Sequence, residues 1–284
     1  MIHVGYFSNQ FASSKGHGIA RYAHHLYNAL LKSKDTLTIH PISASTNCTL
    51  EELKALQQRT GLKVLPWGRK VTPLAWIFFN FPFLEMGFDI KIDLVHALSL
   101  GYKVATRKPY VVTIHDIGPL THPQYFTKKD QWFMKASLKQ ALNKSSAMIC
   151  VSQATADAVE SYALDTYDKS VTERLHVIHE GVDEVFFKAP KEESITDIHL
   201  VESLLDKPFV LTVGSISPRK NLQTVLEAFS KLKDELPNHQ LITVGGNGWD
   251  YSIIKDQVNA LNLENRVHFL GYVSDDLLRL LYRR

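Results

Sequence analysis

From Ile2 onward, short β-branched runs alternate with longer segments of helical periodicity. Two strands joined through a helix lie parallel, because the connection must return along the face of the sheet before the next strand begins. Strands are expected over 2–7, 37–41, 94–97, 110–115, 147–151 and 175–179. Helices are expected over 19–32, where Ile19, Tyr22, Leu26, Ala29 and Leu30 share one face, and over 132–142, where Phe133, Ala136, Leu138 and Leu142 do. The pattern implies an α/β chain with a parallel sheet covered on both faces.

At residue 188 the pattern stops. KAPKEESITDIHLVESLLD carries a proline near its start and no buried-strand signal, and is read as a linker over 189–207. It separates a Rossmann-like lobe over 1–188 from a second over 208–284. The second lobe restarts the alternation with strands over 209–213, 240–244 and 267–270. Helices are expected over 222–236 and 253–261, with a further one begun at 275–282. A doubly wound sheet uses more than three strands before its ligand crevice is complete. The second lobe is therefore expected to be incomplete, with an open sheet edge and apolar helix faces lacking a partner.

Bulk properties exclude several classes. With 45% hydrophobic and 21% charged residues among 284, the chain is globular. A formal charge of +3 is too small for a phosphate-tracking nucleic-acid binder and suits a small anionic ligand or surface. MIHVGYF reads as a buried strand, not a secretory signal, so a cytoplasmic location is expected. Cys48 and Cys150, the only cysteines, suggest neither a disulfide framework nor a metal site. The aromatic stretch over 71–88 is broken by Pro73, Asn80, Pro82 and Glu85 and is too short to span a bilayer. Trp76, Phe78, Phe79, Phe81 and Phe83 either pack in the core or rest peripherally on the inner face of the membrane.

The loops at strand carboxyl ends hold the candidate chemistry. Gly16 and Gly18, in SSKGHGIARY, lie where main-chain amides at a helix N-terminus can face an anion, or where the turn simply needs glycine. His115 and Asp116 end the apolar run YVVTIHD. There the imidazole would contact a substrate hydroxyl or leaving group with Asp116 orienting it, or it is structural. In the second lobe, VGSISPRKNL places Gly214, Arg219 and Lys220 between a strand and a helix, where paired cations would neutralise a diphosphate or stand solvated. Gly245 and Gly246, in VGGNGW, form a neighbouring permissive loop or a plain turn.

Taken in order, IHD at 114–116, MICVSQAT at 148–155, VIHEGVD at 177–183 and VGSISPRKN at 213–221 resemble the retaining, GT-B-type glycosyltransferases of family 4, also called glycosyl transferases group 1. The likeness runs from Met1 to Arg284. It implies two Rossmann-like lobes, a nucleotide-diphosphate sugar as donor, a glycan or lipid-linked acceptor, and surface polysaccharide synthesis, with no metal or other cofactor. It further implies that Arg219, Lys220, Gly16 and Gly18 bind the donor diphosphate and that His115 contacts the transferred sugar. Ser152 corresponds to a position near the family's cleft, although it also suits a helix cap.

Three departures qualify the resemblance. Ser215 stands where many members have an arginine. Glu180 stands where an asparagine is usual, and no catalytic role follows for it. The family's glutamate pair, expected soon after the GYVSD segment at 271–275, is not reached by Arg284, which implies a truncated donor site. Two outcomes stay open: a transferase whose second lobe is completed by a separate chain, and a non-catalytic remnant or accessory subunit. A redox Rossmann enzyme is disfavoured because GxGxxG with its following acidic residue is missing.

Overall fold

The computed structural model describes residues 1–12, 18–46, 48–190, 195–248 and 251–284, with side chains except those of 69 and 70. The chain divides into two compact units, Met1–Gly181 and Val182–Arg284.

The first unit follows the order β1 (Ile2–Phe7), α1 (Gly18–Leu30), β2 (Leu37–Ser43), α2 (Leu50–Thr60), β3 (Lys63–Val64), α3 (Gly68–Phe79) and β4 (Leu94–Ala97). It continues with β5 (Tyr110–Ile114), α4 (Gly118–Thr121), α5 (Lys128–Lys144), β6 (Ala147–Cys150), α6 (Gln153–Tyr167) and β7 (Leu175–Val177). All seven strands are parallel, ordered β3-β2-β1-β4-β5-β6-β7. The order reverses between β1 and β4, the switch point at which sheets of this kind bind their ligands. Alternation along β1 explains the two-sided core. Tyr6 packs with Ala23, Tyr27 and Leu56 on the α1–α2 face, while Phe7 packs with Trp76 and Val95 on the other. Helix ends follow local chemistry: Thr127 with Asp130 and Thr49 with Glu52 close capping boxes at α5 and α2, and Gly61 ends α2 at φ 69°.

The aromatic stretch over 71–88 divides between buried and exposed side chains. Trp76 is fully buried against Phe7, and its Nε1 donates to the Pro82 carbonyl at 2.6 Å. Phe78, Phe79 and Phe81 stand 66%, 78% and 50% exposed. Among the described residues no helix is long and apolar enough to cross a membrane.

The second unit contains β8 (Phe209–Val213), α7 (Leu222–Lys231), β9 (Gln240–Val244), α8 (Tyr251–Ala260), β10 (Val267–Gly271) and α9 (Asp275–Arg283). Its parallel sheet has the order β10-β9-β8, with β9 wholly buried and β8 at the edge. Leu226 and Phe229 of α7 pack with Ile254 and Val258 of α8 in one core cluster. In a second cluster Leu277, Leu280 and Leu281 of α9 lie with Ile195, Val201 and Leu204 against Ile242 and Val244.

These contacts correct two expectations. The stretch over 189–207 is not a free linker, because its Ile195, Val201 and Leu204 are core residues and the boundary between units falls earlier, after Gly181. Asp197 adds polar ties, accepting from the Ser274 amide at 2.7 Å and its hydroxyl at 2.6 Å. The buried Arg279 donates to the Lys188 carbonyl at 3.1 Å and to Asp276 at 2.7 Å. Charged residues on the solvent side hid the spacing of Ile195, Val201 and Leu204. The apolar face of α9, expected to lack a partner, is likewise covered.

Candidate active site

In the first unit the site grows from the carboxyl end of β5. Thr113 and Ile114 are buried in the sheet, and the next residue, His115, leaves it with 15% of its side chain exposed. Two acceptors hold the ring: the Leu98 carbonyl, just beyond β4, lies 2.9 Å from Nε2, and Glu180 Oε1, just beyond β7, lies 2.8 Å from Nδ1. Tyr22, one turn into α1, meets the ring edge-on with centroids 4.9 Å apart. The Thr155 hydroxyl, at the start of α6, donates to the His115 carbonyl at 3.0 Å. Three residues thus hold the imidazole, and Thr155 holds the main chain that carries it.

A buried polar chain lies behind it. Tyr22 Oη is 3.2 Å from Thr113 Oγ1, which is 2.9 Å from His96 Nε2. Burial keeps the Tyr22 phenol protonated by raising its pKa, an effect that the nearby Glu180 charge reinforces. Burial also pushes His96 down to about 4, so this second histidine is a neutral core residue at physiological pH.

The neighbouring motif residues take other places. Asp116 accepts from the Gly118 amide at 2.8 Å and shapes the turn into α4. The orienting role expected for Asp116 therefore falls to Glu180, to which no role had been given. No local signal marks Glu180, since the pairing joins strand ends 65 residues apart in sequence. Ser152 accepts from the Thr155 amide at 3.1 Å and is the cap of α6. Gly18 is the first residue of α1, and a Cβ there would meet nothing within 4 Å. Gly16 lies outside the described residues.

In the second unit, the loop leaving β8 passes through Gly214 at φ 144° and a 3-10 turn over Pro218–Lys220. It enters α7 after Asn221, itself left-handed at φ 50°. Lys220 folds back over Gly214, so that a Cβ on Gly214 would stand 3.2 Å from Lys220 Cε and 3.6 Å from Nζ. Arg219 and Lys220 are both exposed. The loop leaving β9 lies directly against it. A Cβ on Gly245, at φ 139°, would fall 2.3 Å from the Gly214 oxygen, and one on Gly246 would fall 2.9 Å from the Tyr272 ring. Hydrogen bonds from the Gly214 amide to the Val244 carbonyl at 2.8 Å and from the Ile216 amide to the Gly246 carbonyl at 3.1 Å stitch the loops together. Gly245 thus serves close backbone approach, and Gly214 and Gly246 leave room for the Lys220 and Tyr272 side chains.

Among the described residues no cluster of three or more His, Cys, Asp or Glu is arranged to hold a metal ion, and Cys48 and Cys150 are unpaired.

Comparison with known proteins agrees with this architecture. The chain is 27% identical over 173 residues to the O-antigen chain mannosyltransferase B of Escherichia coli, covering 61% of this chain and 44% of that protein. It is 24% identical over 218 residues to the O-antigen chain mannosyltransferase RfbU of Salmonella typhimurium, covering 76% and 54%. The chain thus spans about half the length of these curated relatives. Among solved structures, Anabaena HepE in complex with UDP-glucose matches with a TM-score of 0.62 at 20% identity, over 99% of this chain and 71% of that one. The sucrose-phosphate synthase of Thermosynechococcus elongatus matches with a TM-score of 0.65 at 16% identity, over 99% and 73%. The sequence model of Glycosyl transferases group 1 fits residues 195–284, and that of Glycosyltransferase Family 4 fits residues 16–186, more than half of the chain. The protein belongs to glycosyltransferase family 4.

Proposed function

We propose that this chain works in the transfer of a sugar from a nucleotide-diphosphate sugar to a glycan or lipid-linked acceptor, with retention at the anomeric carbon, in surface polysaccharide synthesis. The observation that carries this reading is the exposed Arg219–Lys220 pair on the loop leaving β8, with Lys220 folded over Gly214. Fixed cations at the carboxyl edge of a parallel sheet suit a diphosphate, whose negative charge grows as the sugar departs. No metal or other cofactor is assigned, because these side chains would take the neutralising role. Both O-antigen relatives are mannosyltransferases, so mannose is the first sugar to test.

Isothermal titration of the whole chain with UDP-, GDP- and dTDP-sugars tests this reading. Binding of one donor, weakened about tenfold or more in Lys220→Ala, is expected from the loss of a hydrogen bond to a charged group. Silence with every donor would leave a non-catalytic accessory role instead.

Two contacts accompany the function. The exposed Phe78, Phe79 and Phe81 lie near Arg107, whose guanidinium sits 4.3 Å from the Phe83 ring centroid, and Lys103, which donates to the Ile77 carbonyl at 3.2 Å. Aromatic side chains with cations beside them suit peripheral binding to an anionic bilayer, at the inner face of the membrane. Flotation with phosphatidylglycerol vesicles, lost in a Phe78→Ser and Phe79→Ser double variant, is expected. The edge of β8, where Val210 and Val213 are exposed, would accept a further strand supplied by a separate chain. Co-purification of that chain, lost on Val210→Pro, is the matching test.

A further inference from the structure

Helix α3 turns an apolar stripe outward. Val71, Leu74 and Phe78, spaced by three and then four residues, are 60%, 48% and 66% exposed, whereas Thr72, Pro73 and Trp76 on the other side are buried. A surface helix ordinarily presents its polar face to water, so this stripe marks a contact surface. The neighbouring helix α5 supplies charge. Lys128, Lys129 and Lys135 flank the exposed Trp132 at helical spacing, and Lys139 follows one turn on, all four exposed. The one acid of α5, Asp130, is held in its capping box, where it accepts from the Thr127 hydroxyl at 2.6 Å. Among the described residues none of these four lysines forms an ion pair. Burial and, after it, the charges of Lys144 and Lys139 draw the pKa of Lys103 below its usual value, which reports uncancelled positive charge on this side.

The two surfaces are continuous. The Phe78 ring lies 6.1 Å from the Trp132 ring, in the second turn of α5. That helix begins at the carboxyl edge of the first sheet, because it has to return along the sheet to the parallel strand β6. Phe133, beside Trp132, meets Tyr102 of the loop leaving β4 at 6.2 Å. The patch thus reaches the edge at which parallel sheets bind ligands. An apolar stripe bordered by unpaired lysines fits a molecule with a long apolar chain and an anionic head. A second copy fits poorly, since two-fold pairing would bring the lysine rows of both copies together.

We infer that this face of α3 and α5 holds the chain and phosphate of a lipid-linked acceptor, which makes the lipid-linked class the substrate of the two acceptor classes proposed above. The inference rests on the transferase reading and goes beyond contact with a bilayer. The α3 stripe receives the chain of the acceptor, and the α5 lysines take its phosphate.

The probe is n-decyl phosphate, kept below the concentration at which it forms micelles and titrated into the whole chain without vesicles. Tryptophan fluorescence follows binding, and Trp132→Phe identifies the part of the signal that arises in the patch. Saturable binding is expected, with 1-decanol weaker by about tenfold or more and inorganic phosphate by about a hundredfold or more, since each supplies only one of the two contacts. Combining Leu74→Ser with Phe78→Ser should weaken decyl phosphate about tenfold or more through the lost apolar contacts. Combining Lys129→Ala with Lys135→Ala should weaken it about tenfold through the lost charge. Thermal midpoints should stay unchanged, because all four side chains are exposed. With the donor found by titration, decyl α-mannosyl phosphate should show an acceptor KM about tenfold or more below that of methyl α-mannoside. The double serine variant should remove that advantage and leave the donor KM alone.

Equal binding of decyl phosphate by the wild type and the double serine variant would overturn the inference. So would equal affinity for decyl phosphate and inorganic phosphate, which would leave a plain anion site. A dimer in sedimentation that dissociates in the serine variant would give the face to a second copy and overturn it as well. Turnover of methyl α-mannoside with no advantage for the lipid-linked acceptor would sink the acceptor assignment while the transferase reading stands. Binding of decyl phosphate without turnover of any donor is the reverse result: it counts against the transferase reading, and the lipid site stands by itself.

Discussion

Replacing Gly245 by alanine tests whether the glycine loops of the second unit serve the fold or a ligand. The added Cβ would lie 2.3 Å from the Gly214 oxygen and 2.5 Å from its carbonyl carbon. An unstrained contact needs about 3.5 Å, so the two loops must part by roughly 1 Å. Such a shift loosens the bonds that close the junction, from the Gly214 amide to the Val244 carbonyl and from the Gly245 amide to the Gly271 carbonyl, both 2.8 Å. Overpacking of this kind costs about 1–3 kcal/mol, and placing a side chain at φ 139° costs about 1–3 kcal/mol more. The sum, about 2–6 kcal/mol, is a large fraction of the stability of a unit this size. A fall in thermal midpoint of at least about 8 °C follows at the lower bound. Calorimetry on the whole chain would measure it, with hydrogen exchange on β8 and β9 peptides to localise the loss. Gly18→Ala is the control: its Cβ would meet nothing within 4 Å, and stability should change by less than about 1 kcal/mol. A Gly245→Ala chain that melts with the wild type would refute the close-approach argument.

Acid sensitivity should trace to His96. Its pKa is pulled down to about 4 by burial, whereas the unfolded chain protonates near the ordinary 6.5. Its contribution is complete above 6.5 and is lost as pH falls from there toward 4, because the unfolded chain takes up the proton first, for about 3 kcal/mol in all. Urea midpoints measured between pH 7.5 and 4.5 should therefore fall less steeply in His96→Gln, and an unchanged slope would count against it. Trp76→Ala should destabilise the first unit by about 3–5 kcal/mol, since it empties a fully buried site and strands the Pro82 carbonyl. Phe79→Ser, three residues on, should stay within about 0.5 kcal/mol by the same denaturation assay. Arg279→Met should cost about 1–3 kcal/mol by leaving the Lys188 carbonyl unpaired, and should speed hydrogen exchange over 184–190 if that stretch belongs to the second unit.

The architecture was legible because parallel strands buried on both faces are short, apolar and β-branched, and the helices between them keep one apolar stripe. YVVTI and QLITV are recognisable anywhere in a sequence for that reason. What escaped were elements whose burial comes from few residues. β3 has only Lys63 and Val64, too short a run for any alternation to show. Ile195, Val201 and Leu204 sit in a segment whose average character is polar, so a composition shift looked like a boundary while the individual spacings belonged to a core. The aromatic stretch failed in the opposite way. Trp76 and Phe79 lie on one helix and have similar hydrophobicity, and only the side of the helix that meets Phe7 separates a core residue from an exposed one.

The site is a harder case, because sequence neighbourhood and spatial neighbourhood part company at strand ends. Asp116 follows His115 directly, and a carboxylate beside an imidazole invites the reading that one orients the other. Adjacent residues at a strand end, however, point to opposite sides of the chain, and a short acidic side chain there is well placed to accept from the amide two residues on, which is what Asp116 does with Gly118. The partner has to come from another strand. In a parallel sheet every strand ends at the same edge, so the residues just past β4, β5 and β7 converge there, and Leu98, His115 and Glu180 do. The rule that follows concerns where to look. For a histidine at the carboxyl end of one strand, the candidates for its orienting acid are the acidic residues one to four positions past the other strand ends. In this chain Glu180 meets that condition three residues beyond Val177.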